Sequence, residues 1–222
     1  MVYLILFIAV AFGYLAALVF KRTKINDLSL FLSFSGAFLL AMTILELLPE
    51  VFELPTERIG LFIMSGILLQ ICLEFFSKGA EHGHVHLSAE KRVFPWLLFF
   101  SLSVHALLEG IPVSDGNNIL IGILVHKIPV AIILSLFFIK ANYKVSTTLI
   151  FMTLFALMTP IGTWLSEEII SIQNYEREIT AVVIGMFLHV STTILYESSR
   201  DHKFNLTKLI VIILGFGIAY FL

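Results

Sequence analysis

Apolar side chains along this chain come in blocks of about twenty, separated by short clusters of charge, proline and glycine. A lipid hydrocarbon core about 30 Å thick needs roughly 17–25 mostly apolar helical residues per crossing. Cut at its charges and breakers, the sequence yields eight such blocks, at about 2–20, 28–48, 58–77, 94–112, 118–139, 145–166, 178–198 and 205–222. In lipid the backbone must satisfy its own hydrogen bonds, which leaves helices for runs of this length. The pattern therefore predicts an all-α integral membrane protein with eight transmembrane helices in a single bundle. Residues 1–222 read as one domain, and 78–93 as a short histidine-bearing loop.

Composition supports the same class. The chain is 59% hydrophobic and 14% charged, with a mean hydropathy of +0.98. A soluble domain carries roughly 25% charged and about 45–50% apolar residues, so this apolar surplus has no soluble core to hide in. A net charge of −2, without a basic patch interleaved with aromatics, gives no footing for nucleic acid. The lone Cys72 excludes an intramolecular disulfide and a paired-cysteine metal site.

Lys and Arg accumulate on the cytoplasmic side of membrane proteins, and their distribution predicts orientation here. The first block starts at Met1 with no positive charge ahead of it and Lys21, Arg22 and Lys24 behind. That is the reverse of a signal peptide's order and places the N-terminus outside. On this assignment the cytoplasmic connections hold eleven of the fourteen Lys and Arg, and the outer ones only Arg58 and Arg177. Eight spans return the C-terminus to the outside. The outer connections are acidic instead, with Glu50, Glu53, Glu57, Asp115, Glu167, Glu168, Glu176 and Glu178, and an acidic mouth concentrates cations.

The ionisable residues left within the blocks are Glu46, Glu74, His105, Glu109, His126, Lys127, His189 and Glu197. A charge at the bilayer centre costs at least about 2.5–3.5 kcal/mol on insertion scales, so such residues face the bundle interior and mark a pathway. Glu46, Glu74 and Glu197 lie toward block ends, where interfacial water is within reach. His105, His126, Lys127 and His189 lie deeper. His105 and Glu109 are four residues apart and so share one helix face. An imidazole nitrogen and a carboxylate oxygen one turn apart suit a divalent transition metal. Pro112 and Pro129 each remove a donor, which should free the carbonyls of Leu108 and Val125. Broken helices offering backbone oxygens recur at transport sites.

These residues carry a resemblance. HALLEG (105–110) followed by HKIPVAI (126–132) resembles the fourth- and fifth-helix motifs HNxPEG and HExPxx of the Zrt/Irt-like (ZIP) divalent-metal transporters. FSGAFLLAMTILELLPE (34–50) is similar to that family's second helix, and GILLQICLEFFSKGAEHGHVH (66–86) to its third with a histidine-bearing loop. MTPIGTWLS (158–166) and GMFLHVSTTILYESS (185–199) resemble its sixth and seventh helices. The resemblance implies a metal site of His105, Glu109 and His126 between the fourth and fifth spans. Ala106, Lys127 and Val130 stand where the family commonly places an Asn ligand, a bridging Glu and a second acidic residue. A second dication would sit beside an ammonium, so the expectation is one metal, with Lys127 balancing Glu109. The alternative is a Lys127 that turns away and snorkels to an interface.

Three further residue groups have assigned roles. Glu46 stands at the position of the family's second-helix His and is assigned to the outer entrance or to an auxiliary ligand role. His189 and Glu197 are assigned to an exit relay or a proton path, or alternatively to interhelical hydrogen bonds. His82, His84 and His86 are candidate weak ligands in the cytoplasmic loop.

The resulting expectation is a plasma or inner membrane transporter, not an enzyme, that takes up a divalent transition metal. Zinc is favoured, with iron or manganese as other cargoes. No catalytic cofactor is expected; the partners are the metal ion and the bilayer, with a homodimer as one assembly allowed. Two rival readings are an intramembrane zinc hydrolase, since His/Glu/His also holds catalytic zinc, and a metal sensor that does not transport.

Overall fold

A computed structural model describes residues 1–21, 28–53, 58–77, 94–113, 118–197 and 206–222. Among these, all regular structure is helical. The helices are α1 (Val2–Val19), α2 (Ser29–Met42), a π-helical turn (Thr43–Leu47), α3 (Leu48–Phe52), α4 (Ile59–Ser77), α5 (Trp96–Glu109), α6 (Ile119–Lys140), α7 (Val145–Glu168), α8 (Ile170–Asn174), α9 (Glu176–Glu197) and α10 (Leu206–Tyr220). Six stretches are long and apolar enough to cross a membrane: α1, the continuous α2–α3 unit, α4, α6, α7 and α9. Helices α5 and α10 are shorter, at 14 and 15 residues; at 1.5 Å per residue each covers only about 21–23 Å.

The chain's local chemistry explains the irregular points. Pro49 has no N–H for the carbonyl four residues earlier, and its ring crowds that carbonyl. The helix widens just before it: the N–H of Leu48 reaches back five residues to the carbonyl of Thr43, and Thr43 Oγ1 donates to the carbonyl of Leu39 at 2.7 Å. Pro129 and Pro160, by contrast, lie inside α6 and α7 without ending them.

The long helices pack as two groups. Helices α1, α5, α6 and α7 lie mainly on one another, as do α2, α4, α9 and α10. The groups meet where α2 lies on α6 and where α4 lies on α5. Val10, Leu102, Ala106, Phe137, Phe138 and Phe151 fill the inside of the first group. Glycines set the tightest approaches within groups. A Cβ on Gly162 would stand 2.0 Å from the carbonyl oxygen of Leu107, and one on Gly110 2.2 Å from that of Thr159. Helices α5 and α7 are therefore in backbone contact beside Glu109. Chain ends are tied to helix ends: Tyr3 donates to Glu167 at the end of α7, and the Asn118 amide to the carbonyl of Leu222 at 3.3 Å.

Candidate metal centre

Four ionisable side chains from α5 and α6 are gathered inside the first helix group. His105, Glu109, His126 and Lys127 are 4%, 1%, 2% and 2% exposed. Together they line a cavity of about 10 Å³ whose apolar wall includes Val130 and Phe155. That is near the smallest space that holds one water-sized occupant.

Glu109 is held from three sides. The Lys127 ammonium forms an ion pair with its Oε1 and lies 5.1 Å from the centroid of the Phe155 ring. Thr159 Oγ1 of α7 donates to the same oxygen at 2.8 Å. Its Oε2 faces His105 Nε2 at 3.4 Å. The other ring nitrogen, His105 Nδ1, meets Gln70 Oε1 of α4 at 2.9 Å, and Gln70 is 0% exposed. Each ring nitrogen of His105 thus faces an oxygen, Gln70 Oε1 on Nδ1 at the shorter distance and Glu109 Oε2 on Nε2 at the longer one, and the tautomer decides which nitrogen donates. The rings of His126 and His105 are 6.3 Å apart, centroid to centroid. Among the described residues, however, no three His, Cys, Asp or Glu stand close enough to hold one metal ion together.

The carbonyl of Leu108, expected to open at Pro112, is in use. Helix α5 closes at Glu109. The N–H of Ile111 takes the carbonyl of Leu108 at 3.1 Å, and Thr163 Oγ1 takes that of Gly110 at 2.8 Å. Pro112 thus ends the helix in a tighter turn rather than offering backbone oxygens to an ion.

Other candidates lie elsewhere. Glu46 is exposed on the π turn, outside this cluster. His189 Nε2 of α9 meets Glu74 Oε2 of α4 at 2.6 Å, both partly buried. The side chain of Glu197, and residues His82, His84 and His86, lie outside what the structure describes, as do Glu57 and Asp115. A second cavity of about 270 Å³ lies between α3 and the start of α9, lined by Glu50, Glu53, Glu176 and Arg177 with Gln173 and Thr180. Gln70 and Thr159 were not among the sequence candidates. Each is a polar residue in a mostly apolar span, and Thr159 directly precedes Pro160.

A buried histidine–carboxylate–lysine cluster on α5 and α6, in a chain with six helical stretches long and apolar enough to cross a bilayer, defines the class: a polytopic membrane protein with a buried ionisable site. A family model described as ZIP zinc transporter matches residues 77–222, and the chain belongs to that family. It is 26% identical over 150 residues to zinc transporter ZIP1 of Danio rerio, covering 62% of this chain and 50% of the relative. A 28% identity over 164 residues links it to protein zntD of Dictyostelium discoideum, covering 63% of this chain and 24% of the relative. ZIP1 of Takifugu rubripes is 26% identical over 150 residues, covering 62% and 50%. The matches thus span half or less of these relatives' own lengths.

Proposed function

We propose that this chain takes up a divalent transition-metal ion, zinc foremost, through the site that α5 and α6 build. These are the fourth and fifth of eight spans, with both termini outside. The observation that carries the reading is the facing pair of His105 Nε2 and Glu109 Oε2. Zinc binds nitrogen at about 2.0–2.1 Å and carboxylate oxygen at about 2.0–2.2 Å. Two such ligands at a tetrahedral angle stand about 3.4 Å apart, and the separation here is 3.4 Å. His126 supplies a third ligand once its ring closes on the pair.

Lys127 sets the charge. A protonated lysine and an ionised Glu109 make the site neutral before the cation arrives, so the dication enters as an unbalanced buried charge. Burial of unbalanced charge is costly, which makes the site weak for resident metal and suited to transit. It also makes the site one for a single ion, because Lys127 stands where a second would go. The acidic cavity of Glu50, Glu53 and Glu176 is on the outer side in this assignment and concentrates cations there. Movement of one helix group against the other then exposes the site inward, in the alternating-access sense.

Proteoliposomes loaded with the purified chain test this reading. Radioactive zinc should accumulate inside, and replacing His105 or His126 with Ala should abolish most of it. Metal counting at equilibrium should find no more than one ion per chain, and two tightly bound ions would overturn the single-site reading. Binding without accumulation would favour the sensor, and lipid or peptide turnover the hydrolase. Iron and manganese added in competition rank the cargoes.

A further inference from the structure

Two hydrogen bonds cross the seam between α4 and α5, where the helix groups meet. Ser101 Oγ of α5 donates to the carbonyl of Leu73 at 2.5 Å. One turn further along, His105 Nδ1 meets Gln70 Oε1 at 2.9 Å. Gln70 is fully buried on a helix whose other faces are largely exposed. A neutral imidazole has one N–H, and the hydrogen bond at one nitrogen decides which nitrogen is left for a metal. A proton on Nε2 would put hydrogen where the cation must bind; a carboxamide oxygen on Nδ1 keeps it on the other side of the ring.

We propose that Gln70 is a positioning residue for the transport site: from the opposite helix group it holds His105 in the Nδ1–H tautomer, so the ligand nitrogen is ready only while the two groups stand in this register. The proposal rests on the reading of His105 as a cation ligand. It adds a link between ligation and movement. Sliding α5 one turn along α4, about 5.4 Å, separates His105 from its acceptor, and Ser101 from Leu73 with it. The histidine then loses the partner that orients it and lets the cation go. Partners that orient a metal-binding histidine are worth about 10–100-fold in affinity.

The test uses the full chain in liposomes with ¹⁵N-labelled histidine and solid-state NMR, the His105 signal being the one lost in His105→Gln. In the unsubstituted protein Nδ1 should be protonated and Nε2 not. Gln70→Leu should move the proton toward Nε2 and raise the KM for zinc uptake by about 10–100-fold. Gln70→Glu offers the same acceptor, so it should keep the tautomer and hold KM within about threefold, well under that loss. Should Gln70→Leu fail to fold, Gln70→Asn takes its place: one methylene shorter, it cannot reach Nδ1 and should lose the tautomer. A proton on Nε2 in the unsubstituted protein, or an unchanged tautomer in Gln70→Leu or Gln70→Asn, overturns the role of Gln70. Uptake indifferent to His105→Ala defeats the transport-site reading instead, and the tautomer measurement needs no transport.

Discussion

Replacing Lys127 with Met isolates what the buried ammonium does. Lys127 is 2% exposed, paired with Glu109 and stacked over Phe155. Methionine keeps the length and the apolar stem but leaves Glu109 without its ammonium partner, beside Thr159, His105 and His126. Removing one partner of a buried ion pair costs about 3–5 kcal/mol, a large part of a typical total of about 5–15 kcal/mol. For a chain of this size each kcal/mol moves Tm by roughly 2–4 °C, so Tm should fall by roughly 6–20 °C. Zinc should then stabilise the variant more than the parent, because the dication replaces the missing positive charge. At about a hundred times Kd a ligand contributes about 2.7 kcal/mol. The assay is thermal unfolding of the detergent-purified chain with and without zinc. The companion is the double variant Lys127→Met/Glu109→Gln, in which no charge is left stranded and most of the loss should return. A Lys127→Met Tm within about 2 °C of the parent, less than the shift one kcal/mol brings, would refute the argument. So would a double variant no more stable than the single one.

Thr159→Val removes the 2.8 Å hydrogen bond to the Glu109 carboxylate; bonds to charged groups are worth about 1.5–3 kcal/mol, and the same melting assay should register that loss while Thr159→Ser does not. Gly162→Ala places a Cβ 2.0 Å from the carbonyl oxygen of Leu107, forcing α5 and α7 apart. It should cost about 1–3 kcal/mol or more and lower uptake. Gly60→Ala, with nothing within 4 Å of the added atom, should leave both unchanged. Zinc uptake at subsaturating concentration should fall as the outer pH is lowered, since protons compete with the metal for the same histidine lone pairs. A pH-independent KM would count against histidine ligation.

The apolar blocks were legible because span length is set by the bilayer. Six of the eight stretches keep the length the blocks suggested. The misjudged ends have local causes. Block 94–112 shrinks to Trp96–Glu109 because the chain closes its carbonyls in a turn at Gly110–Pro112. The π turn at Thr43–Leu47 leaves no mark in the sequence beyond Pro49. Within the site, His105 and Glu109 could be read from their spacing alone, since both sit on one helix. The Lys127–Glu109 pair joins two helices, and spacing left it divided between pairing and snorkelling. Gln70 and Thr159 escaped for the same reason: partners across a helix interface depend on which faces meet, and helices apolar nearly all round offer little to fix that.

One pattern does fix it. Gln70 and Glu74 are four residues apart on α4, as are His105 and Glu109 on α5 and Thr159 and Thr163 on α7. Each pair stands on one helix face, and in a span that lipid surrounds a polar face turns inward. Neighbouring helices then have only each other's polar faces to satisfy them. The contacts follow in file: His189 to Glu74, Gln70 to His105, Glu109 to Thr159, and the carbonyl of Gly110 to Thr163. The file runs from α9 through α4 and α5 to α7, and crosses from one helix group to the other only at Gln70–His105. On the proposed reading a cation on His105 would be linked to the second group through that hydrogen bond, with Ser101–Leu73 beside it, which is where a substitution should uncouple binding from movement.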